Sequence, residues 1–74
     1  MDEAGGAQPA RYSMLIEWSE DDDAYIVTVR ELPGCMTHGS TYAEAVRQAE
    51  DAIATWLDGA VASGEPIPPP RVLR

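Results

Sequence analysis

The sequence predicts an α+β domain in which a three-stranded antiparallel sheet packs against one long helix. Three observations predict it. Two segments with period-two apolar patterning, 11–18 and 24–31, flank a short acidic link. A Leu-Pro-Gly turn at 32–34 follows and leaves room for one more short strand. From Thr41 onward, apolar residues recur at helical spacing until a glycine and a run of prolines stop them.

The first ten residues are acidic and contain Gly and Ala but no apolar periodicity, and they read as a disordered leader rather than a signal peptide. The domain is expected over 11–68. In the first strand Tyr12, Met14, Ile16 and Trp18 share one face, with Ser13, Leu15 and Glu17 on the other. Ser-Glu-Asp-Asp-Asp at 19–23 suits a hairpin connection, which makes the next strand an antiparallel neighbour. In that strand Tyr25, Val27 and Val29 share a face, opposite Ile26, Thr28 and Arg30. Leu15 and Ile26 give the second face of the sheet some apolar character, which a subunit contact would cover. Pro33 lacks a backbone donor and Gly34 can adopt positive φ, so the pair marks a turn. Residues 35–39 then form a third short strand.

Thr41 and Glu44 form a capping box. Tyr42, Ala45, Val46, Ala49, Ala52, Ile53, Trp56, Leu57 and Ala60 make one apolar stripe on the helix they open. Gly64 is the natural residue past the helix end, and Pro66 forbids continuation. Residues 69–74 are a tail or a short last strand, which would complete a β-β-β-α-β order.

Size and charge narrow the function. A chain of 74 residues is one domain with a small core. Its single cysteine excludes an internal disulfide, which leaves oligomerisation as a source of stability. No apolar run is long enough to span a membrane, and the cytoplasm, with Cys35 reduced, is the expected setting. Thirteen acids against five arginines give a net charge of -8. That surface repels nucleic-acid phosphates and anionic lipid, and it attracts a basic protein partner or simply keeps the chain soluble.

The element order and the pattern Leu32-Pro33-Gly34-Cys35, Thr37, Gly39, Thr41 and Glu44-Ala45 together resemble the HicB-like antitoxin family of type II toxin–antitoxin systems. The resemblance runs from Tyr12 to Pro68. It includes Tyr12, the Glu17-Trp18 strand exit, the acidic hairpin with Tyr25 behind it, and the segment 64–68. It implies a partial ribonuclease-H-like fold and a homodimer or higher homo-oligomer. It also implies a partner, a small basic ribonuclease toxin of the HicA type, whose active site the antitoxin covers so that mRNA is not cut. Arg30 stands where relatives commonly carry proline. Many relatives also carry a C-terminal DNA-binding segment, whereas this sequence reaches Arg74 through prolines, so operator binding is not expected from this chain alone.

The chemistry-bearing residues carry bland readings as well. A ribonuclease-H-like nuclease needs carboxylates converging on two metal ions. Glu17 is the only acid inside the first strand, and Glu44, Asp51 and Asp58 lie on the helix face away from the stripe. Asp21 to Asp23 are consecutive and lack the alternation of a calcium loop. Cys35 and His38 have C-x-x-H spacing but no second ligand pair, and Cys35 reads as a small buried hydrophobe. Trp18, Tyr25 and Trp56 are core or interface aromatics. The expected partner-binding set is Glu17, Glu20, Asp21, Asp22, Asp23, Tyr25, Glu31 and His38, with no catalytic residue, metal or cofactor. The expected function is a non-enzymatic antitoxin; the alternative is a free-standing oligomeric interaction module of the same fold.

Overall fold

The computed structural model describes residues 11–73. The expected leader lies outside them. Three strands and one helix follow in order: β1 (Leu15–Ser19), β2 (Ala24–Thr28), β3 (Met36–Gly39) and α1 (Tyr42–Ser63). The strands form one antiparallel sheet in the order β1-β2-β3. No last strand forms among the described tail residues; residues 65–73 have no regular structure. Prolines at 66 and 68–70 explain this, since they cannot donate to a ladder.

Register fixes which residues share a face. Trp18 pairs with Tyr25 and Ile16 with Val27, while Tyr25 and Val27 pair with Gly39 and Thr37. These residues face α1. Leu15, Glu17, Ile26, Thr28, Met36 and His38 alternate onto the open face.

The loop between β2 and β3 is tightly built. Cys35 donates its backbone N–H to Leu32 O at 3.0 Å across Pro33 and Gly34, whose φ is 79°. This is a type II turn with its preferred residues at both central positions. Val29 N–H donates to Cys35 O at 3.0 Å and closes the loop. Leu32 is thereby driven into the core, where it is 1% exposed. Trp56 of α1 donates its indole N–H to Pro33 O at 3.0 Å and clamps the turn to the helix.

Two apolar clusters hold the layers together. One joins Tyr12, Val29, Leu32 and Cys35 to Ile53 and Leu57. The other joins Val27 to Ala45 and Ala49, with Met14, Ile16 and Tyr25 against it. Small alanines let the start of α1 approach the sheet, and Gly39 completes the approach. A Cβ on Gly39 would stand 2.5 Å from Ala45 N and 2.7 Å from Ala45 Cα. Here glycine is required by space. As a result α1 lies over β3, less over β2, and scarcely reaches β1.

Both helix ends are capped. Thr41 Oγ1 accepts from Glu44 N at 3.0 Å, as expected. The return bond differs from a capping box: Glu44 Oε1 accepts from Ser40 N at 2.8 Å, one residue before the cap. Ser40 supplies a hydroxyl donor as well, which makes it the better partner. These two Ser40 donors hold the Glu44 carboxyl below its ordinary value. At the far end Gly64 takes φ 71°, and Gly64 N and Glu65 N donate to Val61 O and Ala60 O, a Schellman motif.

The two loop glycines separate space from conformation. Gly39→Ala should cost about 3 kcal/mol, because rigid backbone must move. Gly34→Ala, with no atom within 4 Å of the added Cβ, should cost only the positive φ, about 1 kcal/mol. Urea midpoints of the two variants measure the difference; equal losses would show that β3 and α1 are not in close contact.

Candidate partner-binding surface

The eight residues expected at an interface occupy three places. Glu20, Asp21, Asp22 and Asp23 form the hairpin between β1 and β2, and all four are exposed. Asp23 takes φ 52°, the left-handed conformation that aspartate tolerates and a tight hairpin needs. Ser19 Oγ and the Asp22 carboxylate and backbone N–H close the turn at 3.0 and 3.2 Å. The three aspartates are therefore exposed around a hydrogen-bonded bend. Glu17 and His38 lie on the open face of the sheet, on either side of Ile26 in one cross-strand row. Tyr25 lies on the helix face.

Glu31 has a different role, at the opposite end of β2 from the hairpin. Its carboxylate accepts from Ser13 N at 3.0 Å, Ser13 Oγ at 2.7 Å and Arg71 N at 2.8 Å. It ties together the approach to β1, the β2–β3 loop and the tail. Tyr12, buried beside it, donates its hydroxyl to Pro68 O and fastens the same tail. Burial, and next the Glu31 charge, push the Tyr12 hydroxyl up, so it remains a donor. Composition could not reveal this, because the donors to Glu31 lie 18 and 40 residues away.

Tyr42 was expected in the buried stripe and is instead 61% exposed. It sits in the first turn, ahead of Ala45, the first buried helix residue. There it stacks on Tyr25 with ring centroids 4.3 Å apart at 25°. Tyr25 in turn meets Trp18 at 5.0 Å and 71°. Trp18, 45% exposed, donates its indole N–H to Glu20 Oε2 at 2.9 Å. Three aromatic rings thus run from the helix start to the acidic hairpin. Among the described residues α1 scarcely covers β1, which leaves Trp18 and Tyr42 exposed and Tyr25 half-buried.

Cys35 and His38 do not converge. Their odd spacing along an extended strand puts them on opposite faces, Cys35 buried and His38 exposed. Burial pushes the Cys35 thiol up and keeps it protonated at neutral pH. Among the described residues no three His, Cys, Asp or Glu side chains are grouped to hold a metal ion. No helix among them is long and apolar enough to cross a membrane.

Residues 12–74 match the model of the HicB-like antitoxin of bacterial toxin–antitoxin systems. The chain belongs to the HicB-like antitoxin family. It is 36% identical over 57 residues to an uncharacterised 14.9 kDa protein of Haemophilus phage HP1, aligning 77% of this chain with 41% of that protein. It is 34% identical over 58 residues to a UPF0150 protein of Thermoplasma acidophilum, covering 78% of this chain and 83% of the relative. A UPF0150 protein of Synechocystis is 32% identical over 57 residues, covering 77% and 71%. The chain spans only about two fifths of the phage protein's length. The β-β-β-α order, the Leu-Pro-Gly turn and the capped helix all lie within the segment matched to HicB-like antitoxins.

The Glu31 latch makes a pH prediction. Burial alone would raise its pKa, but the bonds from Arg71 and Ser13 outweigh burial and lower it to about 2. A carboxyl depressed in the folded state stabilises above its unfolded value, near 4.5, and loses that contribution as pH falls toward 2. Wild type should therefore lose stability through that window, and E31Q should lose less. At pH 7 Glu31→Ala should cost about 2 kcal/mol. Denaturation midpoints against pH measure both, and parallel curves for wild type and E31Q would refute the latch.

Proposed function

We propose that this HicB-like chain neutralises a basic, mRNA-cleaving toxin of the HicA type by covering its active site, without catalysis of its own. The observation that carries the proposal is the hydrogen-bonded acidic hairpin Glu20–Asp23 beside the exposed rings of Trp18 and Tyr42, in a chain of net charge -8. A toxin that grips RNA must present cationic groups to phosphates. An acidic projection competes for those groups, and opposite charge accelerates the encounter. Exposed aromatics supply apolar area that acids alone lack, and such residues commonly dominate interface energy.

The open face of the sheet has a separate part in this proposal. Leu15 and Met36 are 43% and 61% exposed there, on either side of Thr28 in one cross-strand row, with Ile26 in the next row. A second copy seated on that face would bury them and supply apolar contact that so small a domain lacks. Glu17 and His38 would lie within that seam or at its rim, available to the toxin only at the edge. The sheet with one helix across it is compatible with the partial ribonuclease-H-like fold that the family resemblance implies. A cytoplasmic, homo-oligomeric antitoxin is the resulting proposal.

Two measurements test it. Mixed with a small basic toxin of the HicA type, the chain should give a stoichiometric complex on gel filtration and leave RNA intact. Absence of a complex, with RNA cleaved as before, would reject the proposal. D21K should slow association about tenfold at low salt and flatten its salt dependence. An unchanged rate would move the contact away from the hairpin.

A further inference from the structure

We propose that Trp18 and Glu20 together seat a guanidinium group, an arginine side chain of the basic partner. The proposal rests on the antitoxin function above and names the chemistry of its contact. Trp18 is on the helix side of the sheet, yet it is 45% exposed because α1 scarcely reaches β1. Tyr25 meets it at 5.0 Å and 71°, and Tyr42 backs Tyr25 at 4.3 Å, so the indole is held against a stack anchored in the helix. The cross-strand pair stabilises the hairpin and at the same time orients the indole.

The indole N–H places a carboxylate. Trp18 Nε1 donates to Glu20 Oε2 at 2.9 Å, which sets the charge at the ring edge, in solvent. An indole face attracts a cation through its quadrupole, and a flat guanidinium laid on it directs N–H groups outward past the ring edge. Glu20 stands at that edge and keeps lone pairs free for them. A lysine ammonium is a point charge and cannot stack and reach the carboxylate in the same way. A neutral apolar group would use the ring but leave Glu20 without a partner from the other protein. Charge complementarity on this acidic hairpin selects a cation, and geometry selects arginine.

The test uses the full chain and a basic toxin of the HicA type, with affinity read by calorimetry. W18A should weaken binding at least tenfold and E20Q about fivefold. The double variant should lose less than the product of the two, because ring and carboxylate serve one group. Both residues are exposed, so E20Q should leave the thermal midpoint unchanged. If W18A and E20Q bind as wild type does, the seat is refuted while the antitoxin function stands. If W18A alone weakens binding, or the two losses multiply independently, Trp18 is an apolar contact and the arginine assignment is wrong. Failure of the wild type to bind would reject the antitoxin function and the seat with it.

Discussion

The backbone of β3 and the first turn of α1 are in contact at Gly39, with no room for a methyl group between them. The position of the whole helix depends on that contact. With the start of α1 pressed on β3, the alanines at 45 and 49 settle over Val27, and the larger Ile53 and Leu57 fill the widening gap farther along. The helix cannot also cover β1, because its closest approach is at the opposite edge of the sheet. Trp18 and Tyr42 remain open for that reason. Close packing at one edge of the sheet creates accessible aromatic surface at the other.

The turn at 32–35 is the second fixed point and works on the opposite end of the layer. Leu32 and Cys35 enter the core only because Pro33 and Gly34 reverse the chain in two residues. The Trp56 indole and the Glu31 carboxylate then fasten this loop to the helix and to the tail. A domain with so few fully buried large side chains, Leu32, Ile53 and Val27 among them, gains from every such polar tie. Each tie also satisfies a group that would otherwise compete for water.

The order of the three strands and the helix was legible because each follows a local period or a local stop signal, but the period overstated the first two strands: 11–18 and 24–31 pair only over 15–19 and 24–28. Pro33-Gly34 and Gly64 act through their own backbone freedom, so their neighbours in sequence suffice to read them. Cys35 was legible too, since a lone small thiol between strand residues has little to do but pack. The features that were not legible depend on distant partners. Glu31 looked like one more surface acid until Ser13 and Arg71 came to it from far along the chain. Tyr42 has the correct phase for burial, but phase says nothing of whether the sheet extends beneath that turn. Glu44 chose Ser40 over Thr41 because a hydroxyl and an amide arrive there together, and the bare T-x-x-E spacing does not encode that competition.

The acidity of the chain is therefore several different things. Glu31 and Glu44 are held below their ordinary values by hydrogen bonds within the fold, and their charge is used there. Asp22 spends part of its capacity closing the hairpin. Glu20 is placed by an indole and faces solvent. Asp21 and Asp23 stand exposed on the bend. A net charge of -8 would steer a basic molecule from any direction, and it would not by itself hold one in a single pose. A single pose requires acids whose direction the fold has already set. Among the exposed acids Glu20 is placed in this way, at the end of an aromatic stack and at the sheet edge that the helix scarcely reaches.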